Sequence, residues 1–176
     1  MNEISTVYVT QFGYQQLLLK LAEKEREYQQ VCEHRQVAFE LSGDGWHDNP
    51  EFNRMQQMEA NLNHTIKSIT DRLNALKLVE IDDAMRNLQQ VKLGSIVHLR
   101  RFDLLEDTEA DEIWEIRGYD ETNINAQQLA YNAPLAAHIL DLHVGDIAEE
   151  VAIGTKQFDI EVIALFANRH SAGLSV

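Results

Sequence analysis

Two stretches of helical spacing, equal in length and parted by a short break containing Gly and Pro, restrict the fold of this chain more than any other feature. Alternating steps of three and four from Tyr14 give Leu17, Leu21, Lys24, Tyr28, Val31, Arg35 and Ala38, apolar except at Lys24 and Arg35. The same steps from Phe52 give Met55, Glu59, Leu62, Ile66, Ile69, Leu73 and Leu76, interrupted only at Glu59. Apolar stripes at this spacing are buried when one helix lies against another. Residues 14–41 contain no Gly or Pro and are rich in Leu, Glu, Gln and Lys, which lose little freedom in a helix. The pattern predicts an antiparallel helical hairpin, a coiled coil whose arms are each roughly 40 Å long at 1.5 Å per residue.

The break reads Ser42-Gly43-Asp44-Gly45-Trp46-His47-Asp48-Asn49-Pro50. Gly43 can take the left-handed backbone that ends a helix. Asn49 can cap the free N–H groups of the next one, and Pro50 at its first position sacrifices no hydrogen bond. The acids Asp44, Asp48 and Glu51 are thereby gathered at or beside the hairpin tip.

Beyond Leu78 the period changes from helical to alternating. Residues 95–100, 113–117 and 158–163 read as strands. Asn132-Ala133-Pro134 and the apolar run over 135–142 read as one short capped helix, and Val144-Gly145-Asp146 as a turn into another strand. The expected fold class is α+β: a helical hairpin over residues 1–79, then a small antiparallel sheet with one short helix over 80–176. Phe102, Trp114, Tyr119, Tyr131 and Phe158 in the second part are expected in its core rather than around a ligand pocket.

Charge separates the two parts. The 176-residue chain carries a formal net charge of −14. Residues 1–79 hold 8 Lys and Arg against 11 Asp and Glu, whereas residues 80–176 hold 7 against 18. Such a chain repels phosphate backbones, so autonomous DNA binding is not expected. The acidic second part would instead be drawn to a basic protein surface. Cys32 stands alone and cannot form an internal disulfide, and no apolar run approaches the roughly 20 residues that cross a bilayer. The N-terminus lacks the basic and apolar regions of a signal peptide, so a cytoplasmic protein is expected.

The order of these motifs resembles the Gre family of bacterial transcription elongation (transcript cleavage) factors. Val91-Lys92-Leu93-Gly94-Ser95 is similar to the start of the family's C-terminal domain. Ala133-Pro134-Leu135-Ala136 followed by Val144-Gly145-Asp146 is similar to its SPLA…VGD segment. At the tip the family typically has Gly-Asp-Leu-Ser-Glu-Asn-Ala-Glu-Tyr. Gly43-Asp44 and Asn49-Pro50-Glu51-Phe52 match its two ends, while Gly45-Trp46-His47-Asp48 replaces the middle with one residue more. The resemblance spans residues 8–167.

It implies a monomeric factor that binds RNA polymerase and is not itself an enzyme. An FKBP-like C-terminal domain would dock at the rim of the polymerase secondary channel, and the hairpin would reach the catalytic centre. There it would promote cleavage of backtracked RNA by the polymerase active site. Asp44 and Asp48 are the expected catalytic pair, sharing a Mg²⁺ ion with the polymerase only when docked. Trp46, Arg35 and Arg54 are candidates for contact with the nucleotide or the nascent RNA 3′ end. Glu51, inside the first turn of a helix, is expected to be structural.

The same residues fit competing readings. Asp44, Asp48 and His47 also suit an ordinary polar turn, and Arg35 and Arg54 an ordinary solvated helix face. A longer tip fits a channel-binding inhibitor or regulator without cleavage activity, because catalytic ligands tolerate little displacement. An FKBP-like isomerase or chaperone with a coiled-coil adaptor also fits the order of the two parts, and a self-associating coiled coil fits the seams.

Overall fold

The structure, a computed structural model, describes residues 6–174, the side chains of Asp44, Trp46 and His47 excepted. A short strand, β1 (Val7–Val9), precedes a long helix, α1 (Gln11–Ser42), and a second helix, α2 (Pro50–Ala75), is followed by β2 (Leu76–Leu78). Then come β3 (Ile96–Asp103), β4 (Thr108–Arg117), β5 (Gln128–Ala130), α3 (Pro134–Ile139), β6 (Ile147–Ile153) and β7 (Lys156–Phe166). The chain divides into two compact units: one holds Tyr14–Lys77, the other joins Tyr8–Gly13 to the chain from Leu78 onward. The α+β class read from the sequence is the one observed.

In the first unit, every residue of the two predicted seams is buried or half-buried, and most others on both helices are exposed. Leu17, Val31 and Ala38 of α1 and Phe52, Met55 and Ile69 of α2 are its most buried apolar side chains. The helices run antiparallel, with Phe39 and Phe52 rings 6.1 Å apart near the tip and Tyr28 reaching Glu59 further down.

In the second unit, α1 begins three residues ahead of the predicted stretch. Thr10 explains the early start, because its hydroxyl oxygen accepts the Gly13 N–H at 3.3 Å and caps the helix. Thr10 in turn donates its backbone N–H and its hydroxyl to the buried Glu121, each at 2.7 Å. A Cβ on Gly13 or on Gly118 would lie 2.2 Å from Glu121 Oε1. Glycine at both positions leaves room for that carboxylate.

The five-stranded sheet has the order β5-β4-β3-β7-β6. It is mixed rather than antiparallel throughout: β5 pairs parallel with β4, from Glu115↔Gln128 to Arg117↔Ala130. The strands also run longer than alternation predicted. The acidic stretch 108–112 pairs with β3 despite poor strand propensity, helped by cross-strand ion pairs from Arg100 to Asp111 at 3.0 Å and from Arg101 to Glu112 at 3.7 Å. One sheet face and Leu135, Ala136 and Ile139 of α3 enclose the core around Val97, Leu99, Ile116, Ile160 and Val162.

Phe158 is buried in that core, and Trp114 and Tyr131 pack against it. The helix α3 is shorter than expected, because Leu140 leaves the helical backbone at ψ 140° and Asp141 follows with a left-handed φ of 69°. Asn132 does not cap it either; its side chain exchanges hydrogen bonds with Asp120 at 3.0 Å. The turn before β6 forms as predicted, with Gly145 at φ 93° and the Asp146 carboxylate accepting the His143 N–H at 2.7 Å.

Candidate functional site at the hairpin tip

Gly43 ends α1 with φ 52°, the left-handed backbone expected of it. The residues between the helices do not form an open loop. Gly43–Asp48 wind into a 3₁₀ helix, so Asp44 and Asp48 lie on one short coiled stretch. Asp48 is exposed; the side chains of Asp44 and Trp46 lie outside the described residues.

Asn49 holds the tip together. Its Oδ1 accepts the backbone N–H groups of Glu51 at 2.9 Å and Phe52 at 3.4 Å, the cap predicted for α2. Its Nδ2 donates across the hairpin to the Ala38 carbonyl at 3.1 Å and to Ser42 Oγ. Ser42 Oγ itself donates to the same carbonyl at 2.6 Å. One side chain thus starts the second helix and ties it to the end of the first. Asn49→Ala is expected to cost about 0.5–2 kcal/mol, the range for a lost N-cap. Asn49→Asp keeps the acceptor but not the cross-arm donor and should lose less. Thermal melts of the three proteins measure the order.

Glu51 and Arg54 form a two-pronged ion pair, Arg54 Nε to Oε2 at 3.1 Å and Nη2 to Oε1 at 2.9 Å. The Arg54 hydrogen bond holds the Glu51 carboxyl below its ordinary pKa against the opposing effect of burial, and the charges of Arg54 and His34 add to it. Glu51 is therefore a helix-start acid with a cationic partner, as expected. Arg54 is 62% exposed but has two nitrogens committed to Glu51.

Arg35, the other basic candidate, lies in the seam. Its Nε is 2.5 Å from Glu59 Oε2 as an ion pair, without an N–H aligned for a hydrogen bond, and its guanidinium sits 5.8 Å from the Phe52 ring centre. Glu59 also accepts from the Tyr28 hydroxyl at 3.3 Å. The sequence contained the signal for this link: Arg35 and Glu59 are opposite charges at seam positions of opposite arms. The structure thus separates the proposed residues, with Asp44 and Asp48 at the extremity, Arg54 one turn into α2, and Arg35 inside the joint.

No family model matches the chain. Transcription elongation factor GreA of Nautilia profundicola is 28% identical over 161 residues, covering 88% of this chain and 92% of that protein. GreA of Maricaulis maris is 25% identical over 114 residues, 64% of this chain and 69% of its own length. The chain is similar to factors named GreA. Among solved structures, the GreA factor homolog Gfh1 of Thermus thermophilus is 22% identical, with 91% of this chain and 98% of that chain covered at a TM-score of 0.41. The similarity to GreA reaches across both units, since the longer match takes in most of the chain. Among the described residues no helix is long and apolar enough to cross a membrane.

Proposed function

We propose that this chain is a transcription elongation factor that binds RNA polymerase, enters its secondary channel hairpin first, and stimulates cleavage of backtracked RNA by the polymerase's own active site. The observation that carries the reading is a zipped antiparallel hairpin whose tip, tied by Asn49, bears Asp44 and Asp48 beyond the last packed seam residue. Its kinship with proteins named GreA supports it.

Two carboxylates are a hard-oxygen donor set that suits Mg²⁺ but is too small to hold it alone. Asp44 and Asp48 would therefore share an ion that the polymerase also holds, and a bound Mg²⁺ there supplies water activation and charge stabilisation. The chain's own part is delivery. A packed hairpin fixes where the carboxylates go, and the start of α2 adds a positive dipole end that favours their negative charge.

The 3₁₀ geometry favours a second reading. Positions four apart in such a helix are offset by about 120° around its axis, because it has three residues per turn. That spacing suits a channel-binding regulator that occupies the site without cleaving. Adding the protein to stalled complexes of purified polymerase and sizing the RNA separates the two. Shortened transcripts support cleavage stimulation, blocked shortening supports the regulator, and unchanged RNA contradicts both.

A further inference from the structure

A cleft of about 690 Å³ opens in the second unit between the start of α1 and the segment after β2. Its apolar lining comes from Phe12, Val79 and Ile81. Phe12 is 60% exposed, an aromatic ring with little covering it. Glu80, Asp82 and Asp83 also line the cleft, and all three are exposed.

These acids are not equally occupied. Asp83 pairs with Arg86 at 2.8 Å, and one oxygen of Asp82 accepts the Ala84 N–H at 2.9 Å. Glu80 has no side-chain hydrogen bond or ion pair among the described residues. The cleft's one lining cation, Arg117, is already balanced by Glu115 at 3.5 Å and Glu121 at 3.7 Å. The net field at the opening is negative, which disfavours phosphate and other anions. A long apolar stem ending in a cation fits both surfaces at once, its methylenes against Phe12 and Ile81 and its charge beside Glu80 and Asp82. The exposed ring adds a cation–π attraction for the same group.

We propose that this cleft receives a lysine or arginine side chain presented by RNA polymerase. The proposal rests on the reading that the chain binds polymerase. It makes the cleft an anchoring point separate from the hairpin tip.

Binding to immobilised core polymerase, measured at two salt concentrations, tests it. Glu80→Lys should weaken binding about tenfold at low salt, with the difference narrowing at high salt as exposed charges are screened. Phe12→Ala should weaken it about threefold at both concentrations, since buried apolar contact is little affected by screening. Neither side chain belongs to the buried core, so circular dichroism should match the wild type. Glu149→Lys, an exposed acid on β6, should stay within about twofold and controls for overall charge. Wild-type affinity in both cleft variants, or an equal loss in Glu149→Lys, overturns the cleft alone. Absence of binding by the wild type overturns the polymerase reading and the cleft with it.

Discussion

Asp44→Asn and Asp48→Asn are each expected to reduce transcript shortening on a stalled polymerase complex by roughly 10²-fold, comparable to removing one preorganised electrostatic group from an active site. The change preserves shape and removes the negative charge, which weakens a ligand for a hard divalent cation more than it alters a turn. Asp48 is exposed and lies outside the packed seam, so its substitution should shift the melting transition little. Binding to polymerase should stay within about twofold, because the hairpin seam and the second unit remain intact. Loss of cleavage with retained binding assigns the chemistry to the carboxylates. Full cleavage by both variants removes them from the mechanism, and the tip then serves as a plug.

The hairpin was readable because its information is periodic and local. Each seam residue announces itself by spacing, Gly43 by its backbone freedom and Asn49-Pro50 by capping chemistry, and all of these took the positions expected. The 3₁₀ winding of the tip was not readable, since Gly-Asp-Gly-Trp-His-Asp has no periodic preference that separates it from a loop. In the second unit, alternation found the strand centres but missed residues 108–112, whose place in β4 depends on partners in β3. The parallel pairing of β5 was likewise invisible, being a property of topology rather than of three residues. At the candidate site, residue type identified the acids and spacing put Arg35 in the seam, yet only the structure shows that Glu59 engages it there and that Arg54 is held by Glu51.

The largest stability effect is expected at Glu115, a residue no sequence pattern singled out. It is 2% exposed and gathers three arginines, Arg86 and Arg169 from distant parts of the chain and Arg117 from its own strand. Arg86 Nη2 donates to it at 3.0 Å, Arg169 Nη1 at 2.6 Å, and Arg117 Nη1 lies 3.5 Å away. Arg86 is itself almost fully enclosed, its side chain only 4% exposed, and it also donates to the Gly94 carbonyl. Glu115→Ala would strand that guanidinium with only the more exposed Asp83 as an anionic partner, and removing one member of a buried pair costs about 3–5 kcal/mol. Urea unfolding of wild type and variant measures the loss.

The pH dependence follows from the same arginines. Burial pushes the Glu115 carboxyl up, but hydrogen bonds from Arg86 and Arg169, with the charges of Arg117 and Arg86, outweigh it and hold the group below its ordinary value. A carboxyl depressed in the folded state stabilises fully above its unfolded pKa, about 4.3 for glutamate. That contribution disappears as pH falls below that value and through the folded pKa. Unfolding midpoints measured between about pH 3 and 7 should therefore fall more steeply on the acid side in the wild type than in Glu115→Gln. Parallel curves would mean that the three arginines are satisfied without this charge, and that the network's strength lies in its hydrogen bonds instead.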